Sequence, residues 1–309
     1  MITIMTPTYN RAYILPNLYD SLCNQTVHDF EWVVIDDGST DNTEELVAGW
    51  LKKQNPFDIV YVKKQNGGKH RAINYAVKIA KYDWFFIVDS DDFITPDAVM
   101  LIHEWIKTVA HDTTFAGVSG LRGYINFDKP IGEPLNVEYV DATNLEREKF
   151  NLSGDKAEIY RTDILKKFPF PEYEGEKFIT EAVVWDEIAL NGYKLRWFNK
   201  IIYKCEYLED GLTQSGDKIF HDNFEGYTHY IKMQIAIKKS EGMRDAILHY
   251  YGIAKKKGLA TGQIRQKLDI PMPNLYALLI KGHLIKLLKK NQMIHKTARA
   301  FKNFVVQWR

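Results

Sequence analysis

The chain has 309 residues, a formal net charge of +1 and 45% hydrophobic residues, so it can bury a sizeable core in one large or two unequal domains. Its two cysteines, Cys23 and Cys205, exclude a disulfide-rich scaffold and favour a reducing compartment. No window reaches the roughly 18 uninterrupted apolar residues of a membrane span. The first residues also lack the pattern of a signal peptide. We therefore expect a cytoplasmic protein.

The first hundred residues alternate between short apolar runs and segments with helical spacing. The runs predict buried strands and the segments between them predict helices. The predicted strands are Ile2–Met5, Trp32–Ile35, Ile59–Val62 and Trp84–Val88, and the predicted helices are Ile14–Cys23, Thr43–Lys53 and Arg71–Ala80. Strands that recur about every 30 residues with helices between them indicate βαβ units and a parallel sheet.

Polar residues follow each of the four predicted strands. They are the segments Thr6–Arg11, Asp36–Asp41, Gln65–Arg71 and Asp89–Asp92. In parallel sheets, ligands bind beyond the carboxyl ends of the strands. We therefore expect these four segments to converge on one binding edge.

The fourth segment places three carboxylates within four residues. Residues i and i+2 of an extended chain point the same way, so Asp89 and Asp91 can reach one ion. Carboxylates without nearby Cys or His favour a hard divalent cation, Mg²⁺ or Mn²⁺. The alternative is a solvated acidic turn that leads to the helix after Pro96.

The second and third segments are typical of nucleotide sites. Asp37 can accept a hydrogen bond from a base NH or a ribose hydroxyl, although an Asx turn with a helix cap, to which Asp41 is better suited, is the alternative. The run Gly67–Arg71 can bring backbone NH groups and two cations to a diphosphate. A Gly-Gly turn before a helix is the plainer interpretation of that run.

Together the four segments resemble the family 2 glycosyltransferases, which are inverting enzymes with the GT-A fold. The matching text is TPTYNR, VVIDDGSTDNT, NGGKHRAIN and FIVDSDDF, within roughly residues 1–100. The resemblance implies an α/β fold with a mostly parallel, Rossmann-like sheet flanked by helices. It implies a glycosyltransferase domain over residues 1–215, with nucleotide-sugar binding in 1–110 and the acceptor side in 111–215.

The resemblance also implies roles for individual residues. Pro7 and Tyr9 would line the base and ribose pocket, Asp37 would hold the uracil or its equivalent, and Lys69 would face the diphosphate. Asp89, Asp91 and Asp92 correspond to the family's DxD motif, with Asp91 as the foremost ligand of Mn²⁺ or Mg²⁺.

The catalytic base is less clearly marked. The family often has an adjacent Glu-Asp pair on a helix of the acceptor side, and the nearest counterpart here, from Lys177 to Glu187, lacks that pair. Glu181 and Trp185 are four residues apart and share a helical face, which suggests a base beside a sugar-stacking aromatic. Asp155 and Asp186 are the alternatives for the base. Glu181 could instead be an ordinary helix-start acid that faces the helix dipole.

The charge is distributed unevenly along the chain. Residues 231–309 contain 17 Lys and Arg but only three acids, which leaves 24 basic and 37 acidic residues in the first 230. This split predicts two parts with different tasks, with the basic one facing an anionic surface or polymer.

From about Phe220 the pattern is helical, and we expect a basic helical region over residues 216–309. Lysines and apolar residues at Leu275–Ile280, Leu284–Lys290 and Phe301–Trp308 suit peripheral contact with an anionic membrane. The alternative is a helical subdomain that packs its apolar stripe on the catalytic domain. Thr261–Ile280 loosely resembles a helix-turn-helix, but the acidic first part would repel nucleic acid, and we expect no such partner.

The sequence thus predicts an inverting transferase that moves a sugar from a nucleoside-diphosphate sugar, with UDP favoured, to a hydroxyl of a glycan or lipid-linked acceptor in surface polysaccharide biosynthesis. Two alternatives stay open. A sugar nucleotidyltransferase would carry a Gly-rich loop with Arg and Lys after the first strand, where this chain has TPTYNR. The other is a non-catalytic module that binds sugar nucleotides.

Overall fold

The computed structural model describes residues 1–127, 129–205 and 216–280. The chain divides into two compact units, one over Met1–Ser215 and one that begins at Gly216. Each unit has its own hydrophobic core.

Within the described residues, the first unit contains one mixed sheet of nine strands in the order β3-β2-β1-β4-β8-β6-β9-β5, with β7 paired to β9. Strands β1 to β4 are mutually parallel, β8 runs antiparallel to β4 and β6, and β9 is parallel to β6 but antiparallel to β5 and β7. The strands are β1 (Ile2–Thr8), β2 (Phe30–Asp36), β3 (Asp58–Lys63), β4 (Trp84–Ile87), β5 (Phe93–Ile94), β6 (Phe115–Tyr124), β7 (Tyr139–Ala142), β8 (Lys156–Arg161) and β9 (Lys194–Cys205).

Six α-helices accompany this sheet in the described part of the unit. They are α1 (Leu15–Cys23), α2 (Thr43–Leu51), α3 (Lys69–Ile79), α4 (Ala98–Lys107), α5 (Thr162–Lys167) and α6 (Ala182–Leu190), with a 3-10 turn at Asn144–Glu146. Strands β1 and β2 are buried along their whole length, which explains their continuous apolar runs. Tyr19 of α1 stacks on Trp50 of α2 at 4.3 Å between ring centroids, so these helices share one core with the sheet.

The α/β architecture predicted from the first hundred residues is confirmed. The four predicted strands fall on β1 to β4 and the three predicted helices on α1 to α3. Asp41 accepts a hydrogen bond from Thr43 N at 3.1 Å and so supports the start of α2. The expectation of a mostly parallel sheet holds for β1 to β4, whereas β4, β6 and β9 each have an antiparallel neighbour that the sequence pattern did not reveal.

The described part of the second unit is helical. Its helices are α7 (Asp217–Asp222), α8 (Phe224–Gly242), α9 (Arg244–Lys256) and α10 (Thr261–Leu268), followed by a helical segment over 272–280. Phe224, Ile247, Tyr250, Ile264 and Leu275 are buried in one cluster, so apolar faces of these helices pack within the unit itself. Among the residues described, no helix is long and apolar enough to cross a membrane. The predicted amphipathic segments Leu284–Lys290 and Phe301–Trp308 lie outside the described residues.

Candidate active site

The carboxyl ends of β1 to β4 bring the four polar segments to one edge of the sheet. Backbone hydrogen bonds of 2.8 Å join neighbouring ends, from Asp37 N to Thr8 O, from Lys64 N to Asp36 O and from Val88 N to Met5 O. Because parallel strands point the same way, the segments that follow them form one surface.

The segment after β1 is locked to the segment after β2. Asn10 adopts a left-handed conformation with φ of 54°, its N–H donates to Ser39 Oγ at 2.9 Å, and its Oδ1 accepts from Thr40 N at 2.8 Å. Next to this lock, the Tyr9 side chain is 47% exposed and Pro7 is buried. Tyr9 is thus free of the core and accessible from solvent at the predicted nucleoside pocket.

Asp37 holds the glycine turn that precedes α3. Its Oδ1 accepts from Gly67 N at 2.8 Å, and its Oδ2 accepts from Gly68 N at 2.7 Å and from Asn66 Nδ2 at 3.1 Å. The predicted uracil contact of Asp37 stays a prediction. What the structure adds is that this carboxylate orders the turn in front of Lys69.

Lys69, the first residue of α3, lies between two carboxylates from different parts of the chain. Its Nζ is 2.5 Å from Asp89 Oδ1 and 2.8 Å from Glu181 Oε1. Burial alone would lower the pKa of Lys69, but Asp89 and Glu181 outweigh it and raise that pKa, so the ammonium stays charged. Lys69, which was predicted to face the diphosphate, is therefore in direct contact with Glu181, the predicted catalytic base.

Two residues that the sequence did not single out hold the acidic triplet. Arg122 of β6 lies 3.8 Å from Asp89 Oδ2 and 3.9 Å from Asp92 Oδ2. Tyr203 of β9 donates its hydroxyl hydrogen to Asp92 Oδ2 at 2.7 Å and accepts from Asp89 N at 3.0 Å. Burial would raise the pKa of Asp89, but Lys69 and Arg122 hold it below its ordinary range. Burial and then Asp89 raise the pKa of Asp92 to about 7.

Asp91 differs from its two acidic neighbours. In the described part of the chain its carboxylate makes no side-chain hydrogen bond and no ion pair, and it is partly exposed. Burial and the nearby Asp89 carboxylate raise its pKa. Asp91 therefore has oxygen atoms available to a ligand, and a positive charge placed beside it would stabilise its ionised carboxylate.

The three candidate bases occupy different environments. Glu181 immediately precedes α6 and reaches Lys69. Asp186 is buried and accepts from Asn144 Nδ2 at 2.5 Å, which ties α6 to the 3-10 turn. Asp155 is exposed in the segment before β8. Glu181 is thus paired with Lys69, a residue of the segment that the sequence assigned to the donor.

Trp185 requires a correction. It was expected beside a sugar, but its ring stacks on Tyr160 at 4.3 Å, meets Phe170 edge-on at 5.8 Å and is only 7% exposed. Helical spacing placed it correctly on the turn after Glu181 but could not reveal that this face is covered. We therefore assign Trp185 to the packing of α6 on β8.

Comparison with known proteins identifies the family. Residues 3–167, more than half of the chain, match the family model described as glycosyl transferase family 2. The chain belongs to glycosyl transferase family 2. Among curated relatives, the poly(ribitol-phosphate) beta-glucosyltransferase of Bacillus spizizenii is 32% identical over 56% of this chain and 27% of its own length. The poly-beta-1,6-N-acetyl-D-glucosamine synthase of Staphylococcus aureus is 28% identical over 63% of this chain and 47% of its own length.

Solved structures of this fold are also similar to the family 2 chain. S. aureus TarS 1-349 in complex with UDP-GlcNAc superposes with a TM-score of 0.61 and 20% identity, over 90% of this chain and 83% of that one. The mannosyltransferase PcManGT from Pyrobaculum calidifontis, in complex with GDP-Man and Mn²⁺, superposes with a TM-score of 0.55 and 18% identity. The match covers 93% of this chain and 80% of that one. These likenesses show the GT-A fold. The family 2 chain spans less than half the length of the two curated relatives above.

The acidic triplet of this family 2 chain fits a hard divalent cation that is completed by its substrate. Among the described residues, no three His, Cys, Asp or Glu side chains are grouped to hold an ion by themselves. Asp91 nevertheless offers a carboxylate beside Asp89 that has no ion pair among the described residues, and Mg²⁺ commonly takes one or two protein carboxylates with phosphate and water. The donor set therefore suits a cation shared with a diphosphate better than a cage made only of protein.

Glu158 of β8 is a further carboxylate of the family 2 site that the sequence did not mark. It lies opposite Ser119 of β6, on the strand face that also carries Lys156 and Tyr160. Within the described residues its carboxylate makes no ion pair, and the hydrogen bond that it accepts comes from its own backbone N–H. Burial raises its pKa, and the negative Glu181 adds to this while Arg147 and Arg122 oppose it. Only the pairing of β6 with β8 brings this residue to the site.

Glu158→Gln should stabilise the fold at neutral pH. The raised pKa means that the folded state binds this proton more tightly than the unfolded chain, so Glu158 lowers stability as pH rises from the ordinary glutamate range through the raised pKa. We expect the variant to melt roughly 2–4 °C higher at pH 7.5, which corresponds to a gain of about 1 kcal/mol in the free energy of unfolding. The difference in melting temperature should shrink towards pH 4. Calorimetric melting at both pH values checks this, and a variant that melts lower at pH 7.5 would contradict it.

Proposed function

We propose that this chain is an inverting glycosyltransferase that moves a sugar from a nucleoside-diphosphate sugar to a hydroxyl of a glycan or lipid-linked acceptor. The observation that carries the proposal is the position of Lys69, which contacts Asp89 of the acidic triplet and Glu181 of the acceptor side at once. Membership of glycosyl transferase family 2 supports the reaction class. In this proposal residues 1–110 bind the donor and residues 111–215 receive the acceptor.

The donor would lie across the carboxyl ends of β1 to β4. Tyr9 and Pro7 line the place of the nucleoside, and Asp37 fixes the glycine turn beside it. Lys69 and the backbone NH groups at the start of α3 face the diphosphate, where charge develops as the bond to the sugar breaks. Asp91, with Asp89 and Asp92 beside it, would hold Mn²⁺ or Mg²⁺, which supplies Lewis-acid stabilisation of the departing diphosphate.

Glu181 would serve as the general base. The acceptor oxygen attacks the anomeric carbon from the face opposite the diphosphate, its proton passes to the Glu181 carboxylate, and the electron pair of the broken carbon–oxygen bond leaves on the diphosphate. One displacement of this kind inverts the anomeric configuration. Because Glu181 is paired with Lys69 before the donor is present, a diphosphate that attracts Lys69 also frees an oxygen of Glu181 for the acceptor.

The substrate class is supported by the relatives. Two of them are named for work on poly(ribitol-phosphate) and on poly-beta-1,6-N-acetyl-D-glucosamine, and the TarS structure contains UDP-GlcNAc. We therefore favour a UDP-sugar donor and a role in surface polysaccharide biosynthesis. The basic second unit would make peripheral contact with the inner face of the plasma membrane, where lipid-linked acceptors are found.

The test is release of nucleoside diphosphate from a panel of sugar nucleotides, with and without Mn²⁺ or Mg²⁺, together with thermal shifts for each donor. Metal-dependent release from one donor supports the proposal and names the sugar. A donor that raises the melting temperature without being cleaved, even when candidate acceptors are added, would favour a non-catalytic binding module. No release and no shift across the panel would overturn donor binding altogether.

A further inference from the structure

Residues 168–180, here called the acceptor loop, join α5 to Glu181 without forming a helix or strand. Two prolines, Pro169 and Pro171, stiffen its first half but remove backbone donors. Irregular backbone must still satisfy its polar groups. Much of this bonding comes from side chains of α3, the helix that begins with Lys69.

Arg71 forms the centre of this contact. Its Nη2 donates to Tyr173 O at 2.6 Å, and its Nη1 donates to Gly67 O at 2.7 Å and also to Glu176 O. Its Nε is 3.2 Å from Glu172 Oε2. One guanidinium thus joins the glycine turn to three residues of the acceptor loop, a geometry that the single ammonium of a lysine cannot reproduce.

Asn74, one turn further along α3, holds the start of the same loop. Its Nδ2 donates to Phe170 O at 2.9 Å and to Glu172 Oε1 at 2.8 Å, while its Oδ1 accepts from Phe170 N at 2.8 Å. Asn74 is only 8% exposed. Its amide therefore pairs both backbone groups of Phe170 in a site that is largely closed to water.

Gly68 brings the end of the acceptor loop against the start of α3. Its φ is +95°, and a Cβ at this position would lie 1.8 Å from Lys177 O. Any other residue would therefore push the loop away four residues before Glu181. The close approach explains why the glycine is needed beyond its backbone conformation.

From these contacts we infer that Arg71 and Asn74 are positioning residues, which hold the acceptor loop on α3 so that Glu181 meets Lys69. The inference rests on the proposed function for the role of Glu181. The motif NGGKHRAIN then does two things: Lys69 faces the diphosphate, and the opposite side of the same helix fixes the base. Donor site and base are built on one helix, so their separation does not depend on the flexibility of the loop.

The test compares Asn74→Ala and Arg71→Lys with Lys78→Ala, an exposed control on the same helix. Amide hydrogen exchange of residues 170–181 should rise about tenfold or more in the two variants and stay unchanged in the control. With the donor found in the panel, kcat for diphosphate release should fall about 10–100-fold while the donor KM stays within about twofold, because small displacements of a catalytic group are costly.

A second variant guards against a general loss of folding. Glu172→Ala removes one partner of Arg71 and of Asn74 from the exposed side of the loop and leaves α3 intact. Like the two α3 variants, it should raise amide exchange in residues 170–181 and lower kcat. Unchanged exchange in residues 170–181 would overturn the inference, and so would raised exchange with unchanged kcat. If the variants show raised exchange but the unaltered chain releases no diphosphate from any donor, the loop contact is supported and the proposed function is contradicted.

Discussion

Glu181→Gln is expected to lower kcat for diphosphate release by about 10²–10⁴-fold, the usual contribution of a general base. The glutamine keeps an oxygen that can accept from Lys69 Nζ, so the 2.8 Å contact can persist while the proton acceptor is lost. Donor affinity should change little. The measurement is steady-state release with the preferred donor, together with calorimetric titration of the same donor.

Glu187→Gln is the matched control, because this residue lies on α6 as well and is not part of the Lys69 cluster. It should retain the turnover of the unaltered chain. A Glu181→Gln variant that turns over normally would assign the base elsewhere, with Asp155 next to be tested. A variant that no longer binds donor would show that Glu181 acts through Lys69 on the donor and not on the acceptor.

Asp91→Asn is expected to abolish stimulation by Mn²⁺ or Mg²⁺ and to lower release at saturating metal by about 10²–10³-fold. A Lewis acid at the diphosphate contributes several kcal/mol, and each 1.36 kcal/mol is a tenfold change in rate. Asp91 is the member of the triplet whose carboxylate has no ion pair among the described residues, so its replacement breaks no contact that holds the fold. The measurement is release as a function of metal concentration.

Asp83→Asn provides the control at the opposite end of β4, where the side chain is exposed. It should leave the metal response unchanged. Asp92→Asn is a less specific probe, since it also disturbs the hydrogen bond from Tyr203 and the contact with Arg122. If Asp91→Asn keeps the same half-saturating metal concentration as the unaltered chain, the cation is held elsewhere or the reaction does not use one.

The elements from β1 to β4 could be predicted from the sequence because local patterns describe them. The predicted strand Trp32–Ile35 is apolar without interruption, since both of its faces are buried, and it is followed directly by its polar segment. The strands that follow β4 in the chain give weaker signals. Strand β8, KAEIYR, carries charges at both ends, and β6, FAGVSGLRGY, contains three glycines and an arginine. Their pairing depends on contacts distant in sequence, which no local period reveals.

The same distinction applies to the site residues. Lys69 and Asp89 lie in recognisable motifs, and Glu181 was predicted as the base because it shares a helical face with Trp185 in the segment nearest to the family's acidic pair. Arg122 and Tyr203, by contrast, reach the acidic triplet only because β6 and β9 lie beyond β8 in the sheet. A charged residue inside an otherwise buried strand was the one signal available for Arg122. Nothing comparable marked Tyr203, which is buried like an ordinary core aromatic.

Strand β4 has a parallel neighbour, β1, on one side and an antiparallel neighbour, β8, on the other. The triplet that begins at Asp89 therefore stands at a seam between two halves of one sheet. The residues proposed to bind the nucleotide follow the strands of one half, and the strands and loops beyond β8 form the other half. A seam of this kind allows chimeras in which the second half is exchanged with that of a relative while the register of β1 to β4 is kept. Such a chimera has to keep Arg122, Tyr203 and the loop partners of Arg71 and Asn74, because these contacts join the second half to the first.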